Sequence, residues 1–266
     1  MSLRKYLLIP QLSVYALLAP RDQAAAWQRY WSGVRSTGAD GEVLWDADQP
    51  VEASAVAAQL QSHADLRLPL LDLGCGNGRQ ARALAGLAPR VLGIDASSAA
   101  IERAQLEAAE GSAGRTLEFR VADVSEPGLG RRLADELGEV NVHIRGMLHV
   151  IDPARRPAVV RNLADLLGSR GTAYVCETNL VGDPLDYLLF QGATPTSMPA
   201  VVRRLVAAGV RAPSHFGAAE VAEYFPGWRV PADGPTVMHG VPLRPGGPLQ
   251  QIPSYFALLR PADPPV

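Results

Sequence analysis

The sequence predicts an α/β fold built on a doubly wound, mostly parallel sheet with helices on both faces. Short apolar runs alternate with helical stretches such as ARRPAVVRNLADLLG between about residues 69 and 179. Five runs are predicted strands, at 70–73, 91–94, 117–121, 140–145 and 172–177. The first leads directly into a glycine-rich turn, LLDLGCGNG, as the first unit of a nucleotide-binding sheet does.

Helical sequence flanks this alternating region. Residues 1–68 are predicted to form a helical lid or cap, and residues 69–266 form the core. A helical insert is expected at about 180–215, followed by a helix at HFGAAEVAEYF and a final strand at SYFALLR. The Pro and Gly content of GVPLRPGGPLQQIP predicts a long loop before that strand.

The first twenty residues place an apolar stretch, YLLIPQLSVYALLAP, after Arg4 and Lys5. That order is found in signal peptides, but Pro10 and Ser13 interrupt the run and no small-x-small cleavage site follows. The stretch is also shorter than the ~18 uninterrupted apolar residues of a membrane span. We therefore expect an amphipathic lid or packing helix, with a signal peptide as the alternative.

Charge and cysteine content limit the classes of function. Lys and Arg number 25 against 27 Asp and Glu, the formal net charge is -2, and no basic run would follow a phosphate backbone. The two cysteines, Cys75 and Cys176, give neither a disulfide framework nor a metal-ligand cluster. We expect a cytoplasmic protein, monomeric or homodimeric, with no metal, nucleic-acid or membrane partner.

The glycine turn and the acidic residues after successive strands define a candidate ligand site. Three glycines alternate in the turn, at Gly74, Gly76 and Gly78. A dinucleotide fingerprint needs its third glycine at position 79, where Arg79 stands, so NAD is disfavoured. Asp95 ends the second predicted strand, where a carboxylate can accept hydrogen bonds from both ribose hydroxyls. Asp123 lies near the end of the third.

With Asp72 two residues before its first glycine, the turn resembles motif I of the class I S-adenosylmethionine-dependent methyltransferases. The resemblance implies a Rossmann-like sheet of seven strands in the order 3-2-1-4-5-7-6, with the last strand antiparallel between its neighbours. It implies S-adenosyl-L-methionine as cofactor, S-adenosyl-L-homocysteine as product, and a bond from the adenine amino group to Asp123. The expected cofactor-binding residues are Asp72, Gly74, Cys75, Gly76, Asp95, Ala96, Asp123, Val124, Arg145, Trp31 and Trp45.

Arg145, Trp31 and Trp45 are predicted to bind the cofactor for separate reasons. A guanidinium at the end of the fourth strand can bind the carboxylate of the methionine moiety or an acidic acceptor. The alternative is an ion pair with Asp152 or Glu177. The segment WQRYWSGVRSTGADGEVLWD resembles the N-terminal part of thiopurine-type methyltransferases. That resemblance implies that Trp31 and Trp45 fold over the cofactor; the alternative is plain packing of an amphipathic helix.

A hydroxyl acceptor must lose its proton, and histidine is the usual base. His149 is the predicted base, because in the family a residue at this point of RGMLHVID can face cofactor and acceptor. The alternative is a bond to a loop carbonyl. His143 is expected to pack within its strand, and His215 to serve either a helix start or the pocket. The insert either lines an acceptor pocket or packs on the core. The candidate substrate-binding residues are His149, Glu177, Tyr187, Phe190, Met198 and His215.

These features predict a methyltransferase acting on a small organic molecule. O-methylation is preferred over N- or C-methylation, because of the histidines and because the chain lacks an Asn-Pro-Pro-Tyr-like motif. One alternative is a cyclase or decarboxylase of the same fold that uses the bound sulfonium without transferring methyl. The other is a non-catalytic adenosine-binding subunit.

Overall fold

The computed structural model describes residues 3–20, 22–47, 50–109, 117–244 and 246–262. The strands within these ranges are β1 (Leu70–Leu73), β2 (Val91–Asp95), β3 (Leu117–Val121), β4 (Asn141–Arg145), β5 (Ala173–Thr178), β6 (Arg229–Gly240) and β7 (Gln250–Arg260). The helices are α1 (Ile9–Leu18), α2 (Gln23–Ser32), α3 (Pro50–His63), α4 (Arg79–Leu84), α5 (Ser98–Ala109), α6 (Leu129–Leu137), α7 (Arg156–Leu167), α8 (Pro184–Phe190), α9 (Ala200–Ala208) and α10 (Ala218–Tyr224), preceded by a 3-10 helix at Leu3–Leu8.

The strands form one seven-stranded sheet in the order β3-β2-β1-β4-β5-β7-β6. Strands β1 to β5 are parallel, and β7 runs antiparallel between β5 and β6. Both the doubly wound fold and the antiparallel last strand are thereby confirmed. The predicted bounds of the first five strands agree with the structure to within one residue, because buried parallel strands are near-continuous apolar runs that are easily recognised.

The last hairpin differs from the sequence prediction. Strand β7 begins at Gln250, so part of the predicted loop belongs to the sheet. The sequence predicts no strand at the position of β6, because Pro231, Gly234 and Pro235 interrupt that segment. It lies at the edge of the sheet, where a residue without a backbone N–H is tolerated.

Successive side chains of a strand point to opposite faces of the sheet, so the strands contribute residues to two apolar layers. Leu71 and Leu73 of β1 pack on one face of the sheet with α6, α7 and α10. Leu70 packs on the other face with α3, α4 and α5. The two layers hold the strand ends in fixed positions, and the candidate site lies at those ends.

The N-terminal helices pack on the insert rather than standing apart from it. Leu8 is fully buried among α8 and α9 residues, including Leu188 and Val202. Lys5 Nζ lies 2.6 Å from Asp183 and 2.7 Å from Asp186, the two carboxylates at the start of α8. The expectation of a packing helix thus agrees with its position. No helix in the described ranges combines the length and apolar character needed to cross a membrane.

Candidate functional site

A cavity of about 540 Å³ opens at the carboxyl ends of the parallel strands. It lies where the winding of the sheet reverses between β1 and β4, the usual ligand position in open α/β sheets. Its lining has two parts. The strand-end half comprises Gly74, Gly76, Asp95, Ala96, Asp123, Val124, Arg145 and His149. The helical half comprises Leu12 and Tyr15 of α1, Leu185, Tyr187 and Leu188 of α8, and Val202, Leu205 and Val206 of α9.

The glycine turn brings bare backbone to the cavity. Gly74 and Gly76 have φ values of +72° and +55°, which L side chains rarely adopt. A Cβ atom on Gly76 would lie 2.7 Å from the indole of Trp31, and one on Gly74 would lie 2.9 Å from Met147 Sδ. The turn is therefore a cradle that any side chain would fill, as close approach of a ligand to the backbone requires.

Asp95 faces this cradle from the end of β2. Gly76 N–H donates to its Oδ2 at 3.0 Å, and Ser97 N–H donates to Oδ1 at 2.9 Å. Burial raises the pKa of Asp95 to about 6, and the neighbouring carboxylates Asp72 and Asp123 add to the effect. The carboxylate keeps free lone pairs for two further donors, so it fits a ribose with adjacent hydroxyls.

Asp123 lines the cavity beyond Asp95. Burial raises the pKa of Asp123, but hydrogen bonds from Ser125 and the Arg155 guanidinium outweigh this and lower it overall. Ser125 donates its backbone N–H and its hydroxyl to Oδ1, at 2.9 and 2.6 Å, and Arg155 lies 2.7 Å from Oδ2. This ionised acceptor suits a ligand amino group.

Two predicted cofactor residues, Asp72 and Cys75, do not line the cavity. The side chain of Asp72 is buried below the turn, and its Oδ1 lies 2.8 Å from Nδ1 of His143 on β4. Cys75 is buried against Gly93, where burial raises the pKa of the thiol well above its usual range. Both side chains point into the layer between the sheet and its helices, so we assign them to the support of the turn.

Arg145 lines the cavity but has neither of the two ion-pair partners that the sequence suggested. It pairs with Glu52 of α3, and its guanidinium donates to the carbonyls of Trp45 and His239 at 3.3 and 3.4 Å. Burial lowers the pKa of Arg145, but the Glu52 carboxylate outweighs it and raises the value overall. The residue thus ties the N-terminal region to the end of β4.

Aromatic side chains from the N-terminal region cover the turn. Trp27, Trp31 and Trp45 line the cavity, as expected for the last two. Tyr30 stacks on Trp45 with ring centroids 5.6 Å apart, and Trp31 meets the edge of Tyr30 at 5.4 Å. Indoles provide a large rigid surface that also attracts cations.

Asp46 is a site-supporting residue that the sequence did not reveal. It is almost fully buried, pairs with Arg79, and accepts from Asn77 Nδ2 at 3.0 Å and from Gly38 N–H at 2.6 Å. These contacts fasten the tryptophan-bearing loop to the glycine turn. The WD dipeptide at 45–46 is the signal that could have identified it.

His149 and Glu177 form a buried pair at the ends of β4 and β5. Glu177 accepts backbone N–H bonds from Met147 at 3.1 Å, Leu148 at 2.8 Å and His149 at 3.3 Å. Its Oε2 also contacts His149 Nδ1. The backbone N–H of Thr178 also lies 3.4 Å from Nδ1, but the contact with the carboxylate is much closer and favours the tautomer that carries its proton on Nδ1. In that tautomer Nε2 is the basic nitrogen. Among the described residues, Nε2 has no hydrogen-bond partner.

Only some of the predicted substrate residues reach the cavity. His149 and Tyr187 line it, whereas Glu177 lies behind His149 and is fully buried. Phe190 is 39% exposed on the outer side of α8, and Met198 packs in the cluster around Leu8. His215 lies 3.3 Å from the carbonyl of Leu180, so it has a local structural role.

The aliphatic residues that do line the helical half were missed. Val202, Leu205 and Val206 recur on one face of α9 at the spacing of an amphipathic helix. That periodicity could have identified them, but it does not show whether a face meets a cavity or another helix.

Comparison with known proteins gives the following matches. Residues 70–171 match the family model of a methyltransferase domain. A SAM-dependent methyltransferase from Anabaena variabilis is 27% identical, with a TM-score of 0.75 over 91% of this chain and 96% of that one. No curated protein matches the chain.

Two further structures show similarity of fold alone. One comes from work on the conversion of a disulfide bond into a thioacetal group during echinomycin biosynthesis; it is 22% identical, with a TM-score of 0.61 over 82% of this chain and 85% of that one. Magnesium protoporphyrin IX methyltransferase from Synechocystis PCC 6803, with bound SAH, is 18% identical, with a TM-score of 0.54 over 80% and 83%.

Proposed function

Because this chain is a class I S-adenosylmethionine-dependent methyltransferase, we propose that it methylates a hydroxyl group of a small organic molecule and that His149 is the general base. The observation that carries the proposal is the buried contact between His149 and Glu177 at the cavity. A histidine oriented by a carboxylate, with its second nitrogen free, is the arrangement that proton abstraction requires.

The strand-end half fits the cofactor. Asp95 would hold the ribose hydroxyls, and Asp123 with the backbone at Val124 would hold the adenine. Gly74 and Gly76 would let the methionine moiety approach the backbone, and Trp31 and Trp45 would cover it. When bound, S-adenosylmethionine would supply the electrophilic methyl group on its sulfonium sulfur, and cleavage of that C–S bond would leave S-adenosylhomocysteine.

The protein's own contribution is then positioning and proton transfer. His149 Nε2 accepts the hydroxyl proton of the acceptor, which turns the oxygen into a better nucleophile. Glu177 stabilises the imidazolium that forms, because it already contacts Nδ1 and its remaining lone pairs are held by three backbone N–H groups. The aromatic cover excludes water from the reacting atoms.

The test uses methyl-labelled S-adenosylmethionine with a panel of hydroxyl, amine and thiol acceptors. His149→Ala should lower kcat by roughly a hundredfold or more, while calorimetry shows nearly unchanged affinity for S-adenosylhomocysteine. His149→Gln should recover little, since an amide positions an acceptor but takes no proton. His63→Ala, which changes a histidine outside the cavity lining, is the matched control.

Two results would contradict the proposal. Near wild-type turnover by His149→Gln would reduce the imidazole to an orienting role and leave proximity as the main effect. Consumption of an acceptor without formation of S-adenosylhomocysteine would indicate a reaction that uses the sulfonium without transferring its methyl group.

A further inference from the structure

The helical half of the cavity presents an aliphatic surface. Its wall is built from α1 near the start of the chain and from the consecutive helices α8 and α9, and the side chains are Leu12, Leu185, Leu188, Val202, Leu205 and Val206. The first of these comes from α1, which is held in place by the buried Lys5 and its two carboxylate partners at the start of α8. The wall is therefore a fixed part of the fold.

The charged side chains that line the cavity already have partners. The pairs are Asp123 with Arg155 at 2.7 Å, Asp152 with Arg211 at 3.1 Å, and Arg145 with Glu52. Asp95 accepts hydrogen bonds from two backbone N–H groups and belongs to the strand-end half. Among the described lining residues, Asp95 alone lacks an ionic partner, and the helical half has no charged side chain that could pair with an ionic acceptor.

A charged acceptor would lose its hydration shell here without gaining a counter-ion, which is strongly unfavourable. An apolar acceptor gains free energy in proportion to the area it buries against the aliphatic wall. Burial also raises the pKa of Tyr187, on this wall, to about 12, which agrees with poor solvation of ions in this half. The basic nitrogen of His149 is the polar atom suited to a weakly acidic hydroxyl.

We propose that the acceptor is an uncharged, mainly apolar molecule with one weakly acidic hydroxyl, of the class of alkyl- or aryl-substituted phenols. Its apolar body lies against α1, α8 and α9, and its hydroxyl lies at His149. The position of the hydroxyl rests on the proposed function, whereas neutrality and apolar character rest on the lining alone.

The experiment measures binding of 4-methyl-, 4-propyl- and 4-butylphenol by calorimetry to the full chain saturated with S-adenosylhomocysteine. Affinity should rise by roughly tenfold or more from the methyl to the butyl compound, because three further methylene groups are buried. Tyramine and 4-hydroxyphenylacetate match the size of 4-propylphenol but carry a charge. Both should bind at least about tenfold more weakly than it does.

Two substitutions on one helix give a matched pair. Leu12→Asp places a charge on the wall and should weaken 4-butylphenol by roughly tenfold or more, with unchanged affinity for S-adenosylhomocysteine. Leu17→Asp makes the same change at a site that is 86% exposed, and binding should not change. If Leu12→Asp does not fold, Val206→Thr takes its place. It keeps the volume of the side chain but adds a hydroxyl to the wall, and it should weaken binding of 4-butylphenol several-fold.

The outcomes separate this inference from the proposed function. Alkylphenols that bind with the expected trend but receive no methyl group would support the acceptor class and contradict O-methylation. Absence of alkylphenol binding, equal binding of the charged analogues, or affinity independent of chain length would overturn the inference.

Discussion

The two halves of the cavity are built in different ways. The strand-end half takes its polar groups from consecutive βα units of one sheet, and a hydrogen bond from Gly76 N–H to Asp95 joins the glycine turn to the end of β2. The helical half takes aliphatic side chains from helices before and after that sheet. Under the proposed function, the core would recognise the cofactor and the added helices would recognise the acceptor.

The largest effect is expected at the glycine turn. Gly76→Val places a branched side chain at a φ of +55°, where its Cβ would lie 2.7 Å from Trp31. Backbone strain and displacement of the indole should lower affinity for S-adenosylhomocysteine by roughly a hundredfold or more. Calorimetry on the folded variant measures the loss.

The matched control is Gly227→Val, because that glycine has a φ of +80° and its added Cβ meets nothing within 4 Å. It imposes similar backbone strain away from the cavity, so its affinity should stay at the wild-type value. If Gly76→Val also retained wild-type affinity, the backbone cradle would not be part of the cofactor site.

A smaller effect is expected behind His149. Glu177→Gln keeps the size of the side chain but removes its charge, so the imidazolium formed during proton transfer loses its partner. We expect kcat to fall roughly tenfold to a hundredfold, with unchanged affinity for S-adenosylhomocysteine. Glu118→Gln, on β3 and outside the cavity lining, should leave kcat unchanged. If Glu177→Gln changed the affinity for S-adenosylhomocysteine and left kcat unchanged, Glu177 would contribute to cofactor binding and not to proton transfer.

The next largest effect is expected at Asp95, the proposed ribose contact. Asp95→Asn should weaken S-adenosylhomocysteine by roughly tenfold, since hydrogen bonds to a charged group are worth about 1.5–3 kcal/mol. Because the pKa of Asp95 is raised to about 6, the carboxyl becomes protonated as the pH falls through 6 and then accepts hydroxyl bonds less well. Wild-type affinity should therefore decrease below pH 6 and level off above it. The Asn variant should lack this component, and an identical pH profile would argue against ribose binding by Asp95.

The smallest effect is expected at Lys5, which joins the N-terminal segment to α8. Lys5→Met should loosen the wall of the helical half and weaken 4-butylphenol by roughly two- to fivefold, in line with the modest strength of such ion pairs. Affinity for S-adenosylhomocysteine should not change. An equal loss for both ligands would mean that the two halves are not independent.

The features that the sequence predicts correctly are those encoded by residues close together in the chain. The turn with Gly74 and Gly76, and Asp95 at the end of the next strand, form a continuous pattern of apolar runs and special residues, and the structure brings them to one cavity. The partners of Arg145 and His149 were not predictable. Glu52 and Glu177 reach them only through the tertiary fold, and spacing along the chain carries no information about such pairs.

The helical insert shows a second limit of prediction from sequence. The sequence predicts its helices and places Phe190, but not Val206, in the pocket. In the structure Val206 lines the cavity and Phe190 is exposed. Both are apolar, so composition does not decide which helix face turns inward. Strand β6 was hidden for a different reason, because its prolines are tolerated only at a sheet edge and the edge is a property of the whole sheet.

The ion pair of Glu52 with Arg145 also bears on the order in which the chain can assemble during synthesis. Glu52 accepts the backbone N–H of His239 at 3.0 Å as well as the Arg145 guanidinium. The contacts between α3 and the sheet therefore include a residue near the end of β6, which leaves the ribosome long after Glu52. A nascent chain with its five parallel strands already paired still lacks this junction, together with the cavity-lining residues Met238 and Ile252 of the last hairpin.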